Sequence, residues 1–292
     1  MSEKSYQVKH THSLAKWHQL MTDWNSEMNL FPYDSSAQIL ISPDDKKILT
    51  AYEQERLFFN YHQLHGELLL FFEQCLMASA YFLRGKLPTS VETDLAHFAQ
   101  EEFYHTQCFR KYMNAEINFL YPKNKFLLQP HMWTRKIYVA VLKLEPWSIL
   151  IPGAKSEIYF LQYFKHTLLK QADSFYKKIN QVHCADEAHH IPFDFQLLNT
   201  MLETRSVLGQ FKFWMMTTAL FVLNQFLVLF SFWKMVQVSL PERSFSMRLS
   251  IFFKLSFQQV RGPIYAQTRR SLKTIYLQQK KKVFWLLRYI SW

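Results

Sequence analysis

The chain has 292 residues, 49% of them hydrophobic and 17% aromatic, with only 5 Gly, which is material for one large core or two small ones and excludes a disordered or low-complexity protein. Three cysteines (Cys75, Cys108, Cys184) form no C-x-x-C pair and no disulfide framework, so a reducing compartment is expected and any metal must sit on His and carboxylate. From Lys212 onward there are 13 Lys/Arg against Glu242 alone (+12), while residues 1–211 carry 21 Lys/Arg against 22 acids (−1), so the basic character belongs to the carboxyl-terminal part.

The opening MSEKSYQVKHTHS is polar and has no apolar run behind a basic start, so no signal peptide is expected and a cytoplasmic location follows, with a partly loose amino terminus. An amphipathic stretch, Ser13 to Leu30, leads to Pro32 and the turn-like run from Ser42 to Lys47. Apolar residues then recur at helical spacing from about Glu53 to Leu83, and Arg84-Gly-Lys-Leu-Pro-Thr-Ser supplies a stop, a turn and a new start. A second helix is expected from about Ser90 to Glu116, then a proline-broken connector holding a helix over His131 to Leu144. Two further helices are expected over Ala154 to Gln171 and Ser174 to Leu202. Phe213 to Trp233 is 21 residues without a charge, long enough to cross a bilayer. Asn224 and Gln225 within it, and a basic tail that would lie opposite the main domain, leave three settings open: a buried or surface-docked helix, insertion at a membrane interface, and a true span.

The expected fold class is all-α, a four-helix bundle with additional helices. Its organisation would be an extension with a helix over 1–50, a di-metal core over 51–205, and an apolar helix with a basic aromatic tail over 206–292. No nucleotide-binding glycine motif is present to suggest dinucleotide or P-loop chemistry.

Two Glu-x-x-His motifs carry the chemistry, Glu102-Phe-Tyr-His105 and Glu187-Ala-His-His190. Positions i and i+3 share a helix face, so each offers a carboxylate and an imidazole to one cation. Two ligands on antiparallel helices meet only if the turn lies near their midpoint. That midpoint is Arg84-Gly85 for Glu67 and Glu102, and Ala172 for Glu157 and Glu187, both at expected turns. A Glu from each of two helices and a Glu-x-x-His from each of the other two form the ligand pattern of a di-metal carboxylate bundle. His183 extends the stripe of Glu187 and His190 at i, i+4 and i+7. Such a set suits iron or manganese, with zinc as an alternative.

Beside these, Glu101 and His189 point away from the ligand stripe and are expected to be solvated or hydrogen-bonded neighbours. Asp94 and Asp194 could hold the second nitrogen of a liganding imidazole, His62 and His65 are expected on the helix surface, and Tyr104 and Tyr159 are expected to pack.

The order Glu67, Glu102-x-x-His105, Glu157 and His183-x-x-x-Glu187-x-x-His190 resembles the p-aminobenzoate N-oxygenase family of ferritin-like diiron oxygenases. The strings Gln100-Glu-Glu-Phe-Tyr-His105 and Asp186-Glu-Ala-His-His-Ile-Pro-Phe-Asp194 look even more like a sister group of bacterial proteins labelled predicted metal-dependent hydrolases. The resemblance spans about Glu53 to Leu202. It implies a ferritin-like fold with two iron ions on Glu67, Glu102, His105, Glu157, His183, Glu187 and His190, Glu187 bridging or terminal. It also implies O2 activation to oxygenate a small organic substrate, by arylamine N-oxygenation or C–H hydroxylation, with an external electron donor.

The alternative is a dinuclear hydrolase of an ester or phosphate, which would need anion-binding groups near the metals. The expected partners beyond substrate are an anionic membrane surface met by the basic aromatic tail, and a second copy in a homodimer. Nucleic acid fits the tail less well, because its cations are interleaved with Phe, Trp and Leu.

Overall fold

The computed structural model describes residues 3–23, 47–120, 132–168, 175–261 and 265–271. The residues from Pro32 through most of the Ser42 to Lys47 turn, and the tail from 272 to 292, lie outside the described residues. The described chain is all-α with no strand: α1 (Glu3–Thr22), α2 (Ala51–Leu83), α3 (Thr89–Leu120), α4 (Met132–Leu144), a 3-10 turn (Pro146–Ile149), α5 (Leu150–Leu168), α6 (Phe175–Thr204), α7 (Val207–Ser239) and α8 (Phe245–Arg261). The all-α expectation therefore stands. At the amino end the expected boundaries shift: α1 starts at Glu3, inside the polar segment expected to be loose, and ends by Thr22.

Local chemistry explains the helix ends. Thr50 and Glu53 form a reciprocal capping box at the start of α2, Thr50 N donating to Glu53 Oε2 at 2.8 Å and Glu53 N to Thr50 Oγ1 at 3.2 Å. Gly85, at φ 75°, takes the left-handed conformation that turns the chain from α2 into α3. Ser206 caps α7 through Gly209 N.

Helices α2 and α3 form one antiparallel hairpin and α5 and α6 another. Each helix of one pair packs against one of the other, α3 on α6 and α2 on α5, closing a four-helix ring. Gly153 lets α5 approach α2 closely, because a Cβ there would stand 2.7 Å from Leu76 Cδ2. Outside the ring, α1 lies across α3 and α6, while α7 packs on α2 from the other side. Arg205 Nη1 reaches the buried Glu145 at 2.8 Å and Lys212 Nζ donates to Leu144 O at 2.8 Å, tying the start of α7 to the end of α4.

Helices α2 and α7 are both long and apolar enough to cross a membrane, each 33 residues. They differ in setting: 61% of the most apolar window of α2 is buried within the protein, against 33% of that of α7.

Candidate metal centre

Side chains from three helices of the ring converge where the two hairpins meet. His183, Asp186, Glu187, His190 and Asp194 of α6 recur at three- and four-residue steps and are all buried on one stripe. Glu101, Glu102 and His105 face them from α3, and Glu73 enters from α2.

Two groups could each hold a metal ion. Glu73, His105, His183 and Glu187 form one, and Glu102, His105, Glu187 and His190 the other, the ligand atoms of each lying within 4.8 Å of one another. Glu187 Oε1 is the common point, 3.0 Å from His183 Nε2, 3.5 Å from His190 Nδ1 and 3.7 Å from His105 Nδ1. His190 Nδ1 also stands 2.9 Å from Glu102 Oε1, and His183 Nε2 3.0 Å from Glu73 Oε1.

Carboxylates outside the two groups fix which imidazole nitrogen looks inward. His105 Nε2–H donates to Asp186 Oδ2 at 3.0 Å, turning Nδ1 toward the centre. His190 Nε2–H donates to Glu101 Oε2 at 3.0 Å, with the same result. Such carboxylate–imidazole pairs set the tautomer and raise the basicity of a metal-binding ring. Asp186 is itself held from α1, by Ser13 Oγ at 2.6 Å and Trp17 Nε1 at 2.7 Å. Aromatic rings cover the imidazoles: Trp17 lies 4.9 Å from His105, Phe98 4.7 Å from His190 and Phe109 5.1 Å from His183, centroid to centroid.

The electrostatics follow from burial opposed by charge. Burial disfavours a proton on His183, but Glu187 and Glu73 outweigh it and raise its pKa to about 10. Burial likewise works against a charged His190, and Glu187, Glu101 and Glu102 outweigh it and lift its pKa well above the usual imidazole value. Burial would raise Glu187, but His183 and His190 hold it below the ordinary carboxylate range. Glu102 is raised to about 7 by burial, against the pull of His190. Glu157 is pushed well up by burial and by the charges of Asp194 and Glu187.

The donor set fits metal ions. Within the two groups, both carboxylate oxygens of Glu102 and Oε2 of Glu187 are buried with no hydrogen-bond partner among the described residues. Buried carboxylate oxygens without partners are costly, and a cation among them supplies what hydrogen bonds do not.

Of the seven ligand positions read from the sequence, Glu102, His105, His183, Glu187 and His190 are brought together. Glu67 is not in either group: its Oε1 accepts a hydrogen bond from Gln63 Nε2 at 2.7 Å, one turn back on its own helix, and Glu73 occupies the place expected for it. Glu157 is buried beside the centre with Asp194, outside both groups.

Several neighbours also stand elsewhere than expected. Glu101 is buried and orients His190, a role read instead for Asp94 or Asp194. His62 and His65, expected on the surface, are buried with Tyr61, Tyr159 and Tyr163: Tyr163 Oη and His62 Nδ1 lie 2.7 Å apart, and His65 stacks on Tyr163 at 4.5 Å. Comparison of the chain with family models, curated proteins and solved structures gave no match, so the reading of this centre rests on its own chemistry.

Proposed function

We propose that the chain is a non-haem diiron protein of ferritin-like type that activates O2 and oxygenates a small organic substrate. The observation that carries this reading is the pair of overlapping buried His/Glu groups, which share Glu187 and His105 and together offer imidazole nitrogen and carboxylate oxygen, a donor mixture suited to iron. Two irons held there would supply the electrons and open positions that O2 chemistry requires.

The protein's own residues have distinct tasks. Glu187 ties the two groups together, Glu73 and His183 complete one, and Glu102 and His190 the other. Asp186 and Glu101 accept from the Nε2–H groups of His105 and His190 and so aim Nδ1 of each ring at the centre. Trp17, Phe98 and Phe109 exclude water from the rings they cover. Glu157 and Asp194, adjacent and acidic, can take up or release a proton as charge at the centre changes.

The absence of a buried Lys or Arg among the described residues favours this reading over a dinuclear hydrolase of a phosphate or ester. Glu73, Glu101, Glu102, Glu157, Asp186, Glu187 and Asp194 are all buried around three imidazoles, and no Lys or Arg is buried among the described residues to hold the anionic group of a phosphate. A neutral amine or hydrocarbon suits it better. With no flavin or nicotinamide motif in the chain, an external reductase or ferredoxin would deliver the electrons.

The test loads the protein anaerobically with ferrous iron and follows O2 uptake with a transient visible absorption, for the wild type and for Glu187→Ala. The reading expects rapid O2 consumption that the variant loses. Stable binding of zinc or manganese with no O2 uptake by the iron-loaded protein, together with hydrolysis of ester substrates, would replace it with the hydrolase reading.

A further inference from the structure

Helix α7 is apolar on both faces, unlike a helix facing water. Its outward stripe is Leu208, Phe211, Met215, Val222, Phe226 and Phe230, all exposed and recurring at helical steps over a length of about 33 Å at about 1.5 Å per residue. Its inward face is mainly apolar too, with Thr217, Asn224 and Ser231 buried at seven-residue spacing among Phe213, Leu220 and Leu227, and Thr217 Oγ1 and Asn224 Oδ1 lacking hydrogen-bond partners among the described residues. A surface helix in water puts its polar residues outward and its apolar residues inward. A helix apolar on both faces has an outer face matched to an apolar neighbour.

The neighbour's charge can be read from the helices around it. The sequences of α4, α7 and α8 contain Arg135, Lys136, Lys143, Lys212, Lys234, Arg248, Lys254 and Arg261 and no Asp or Glu. Ile137 and Val141 of α4 line one groove with the α7 stripe, and Leu144 of α4, Phe253 of α8, Lys136, Lys143 and Lys254 are also exposed. Between α4 and α7 lies an open groove of about 860 Å³, lined by residues such as Val141, Trp214 and Phe226. Apolar side chains fringed by cations, with exposed Glu242 in the turn between α7 and α8 outnumbered by them, complement an anionic lipid bilayer: the rings enter the acyl region while the lysines meet headgroup phosphates.

We infer that the outer face of α4, α7 and α8 docks the protein on an anionic membrane, with α7 lying along the bilayer surface. Lying along it, rather than crossing, follows from the other side of α7, where Phe213, Leu220, Leu227, Phe232 and Met235 are buried against the protein. The surface is one of described helices and is distinct from the basic tail after residue 271. It does not depend on which metal the centre holds.

The test is co-sedimentation of the full chain with vesicles of phosphatidylcholine and phosphatidylglycerol (3:1) and with vesicles of phosphatidylcholine alone, using wild type and Phe226→Asp/Phe230→Asp. Binding is expected to the anionic vesicles, weaker by about tenfold on the neutral ones and in the variant, as loss of two inserted rings and of headgroup attraction dictates. Circular dichroism and bound-metal content report whether the variant is folded. A second measurement needs no variant of the apolar stripe: brominated lipids should quench the fluorescence of the wild type more than that of Trp214→Phe. Equal vesicle binding by the folded variant, with no quenching at Trp214, would overturn the inference in favour of the tail alone. A wild-type dimer that ignores vesicles and is split by the variant would overturn it in favour of a second copy on this face.

Discussion

Asp186 is the residue on which the orientation of the centre turns. It accepts from His105 of α3, Ser13 and Trp17 of α1, and stands one residue before the shared Glu187. Burial opposes its charge, but His105 and Ser13 hold its pKa down to about 2, so it remains a carboxylate able to fix the His105 tautomer. Asp186→Ala is therefore expected to weaken metal binding by about 10- to 100-fold without emptying the helices, as measured by chelator competition beside circular dichroism. Trp17→Phe removes one of the donors to Asp186 while keeping a ring over His105, and should give a smaller loss in the same assay. Wild-type affinity in Asp186→Ala would show that His105 is oriented by something else.

At this scale the sequence was legible wherever the phase of a helix was. On α6 the residues His183, Glu187 and His190 stand among polar and small neighbours, and the stripe they define is the one that is buried. On α2 the five residues between Glu67 and Glu73 are Leu-Leu-Leu-Phe-Phe, apolar all round, so periodicity there gives no azimuth. The midpoint argument does not separate the two glutamates either. Residues Leu83 and Thr89 bound the turn, so the level of Glu102 falls at Leu70, three residues from each. Six residues turn a helix by about 240° beyond a full circle, and that rotation alone decides which carboxylate faces the centre. Glu73 passes the same spacing test as Glu67, which is the signal by which it could have been found.

At the scale of elements, the start of α2 is held by an ion pair that the sequence does not display. Arg243, in the turn between α7 and α8, donates through Nη2 to Glu53 Oε2 at 2.7 Å, so the capping glutamate of α2 also anchors the end of α7. The Arg243 hydrogen bond lowers the Glu53 pKa from 4.5 to about 2, against a small opposing effect of burial. A carboxylate with a depressed folded pKa stabilises the protein above its unfolded value and loses that contribution as pH falls toward the folded one. Glu53→Gln should therefore lower Tm at neutral pH, and the gap from wild type should close between about pH 4.5 and pH 2. A gap that stays constant across that range would mean that capping, not charge, accounts for the effect.

Helix existence was legible for α2 to α7, because 3.6-residue periodicity and the Gly-Lys-Leu-Pro turn are local signals, while α8 lies in the segment read only as a basic aromatic tail. What α1 does was not legible. Its contacts to Asp186 join residues 173 and 169 positions apart, and no pattern within one helix encodes them. The buried His62, His65, Tyr163 set escaped for a related reason: its aromatic partners come from α5.

On the scale of the whole molecule, the usual contrast between an apolar interior and a polar exterior is inverted at two places. The interior of the ring is acidic and imidazole-rich, and the outer face of α7 is apolar with cations around it. The buried carboxyls of the first are compensated by protons, by neighbouring imidazolium or by a bound cation; the second suits an anionic, apolar neighbour. The sequence showed the raw materials of both, in two Glu-x-x-His motifs and an uncharged 21-residue run beside basic residues. It left open how α7 sits, because composition does not tell which face of a helix meets the protein.

The central claim is a dinuclear centre in which Glu73, and not Glu67, completes the ligand set. Metal content per chain after anaerobic iron loading and removal of loosely held iron, measured for wild type, Glu73→Ala and Glu67→Ala, tests it most directly. The account predicts about two irons for wild type and for Glu67→Ala, and about one or none for Glu73→Ala, with all three helical by circular dichroism. Two irons retained by Glu73→Ala, or loss of iron from Glu67→Ala alone, would contradict it.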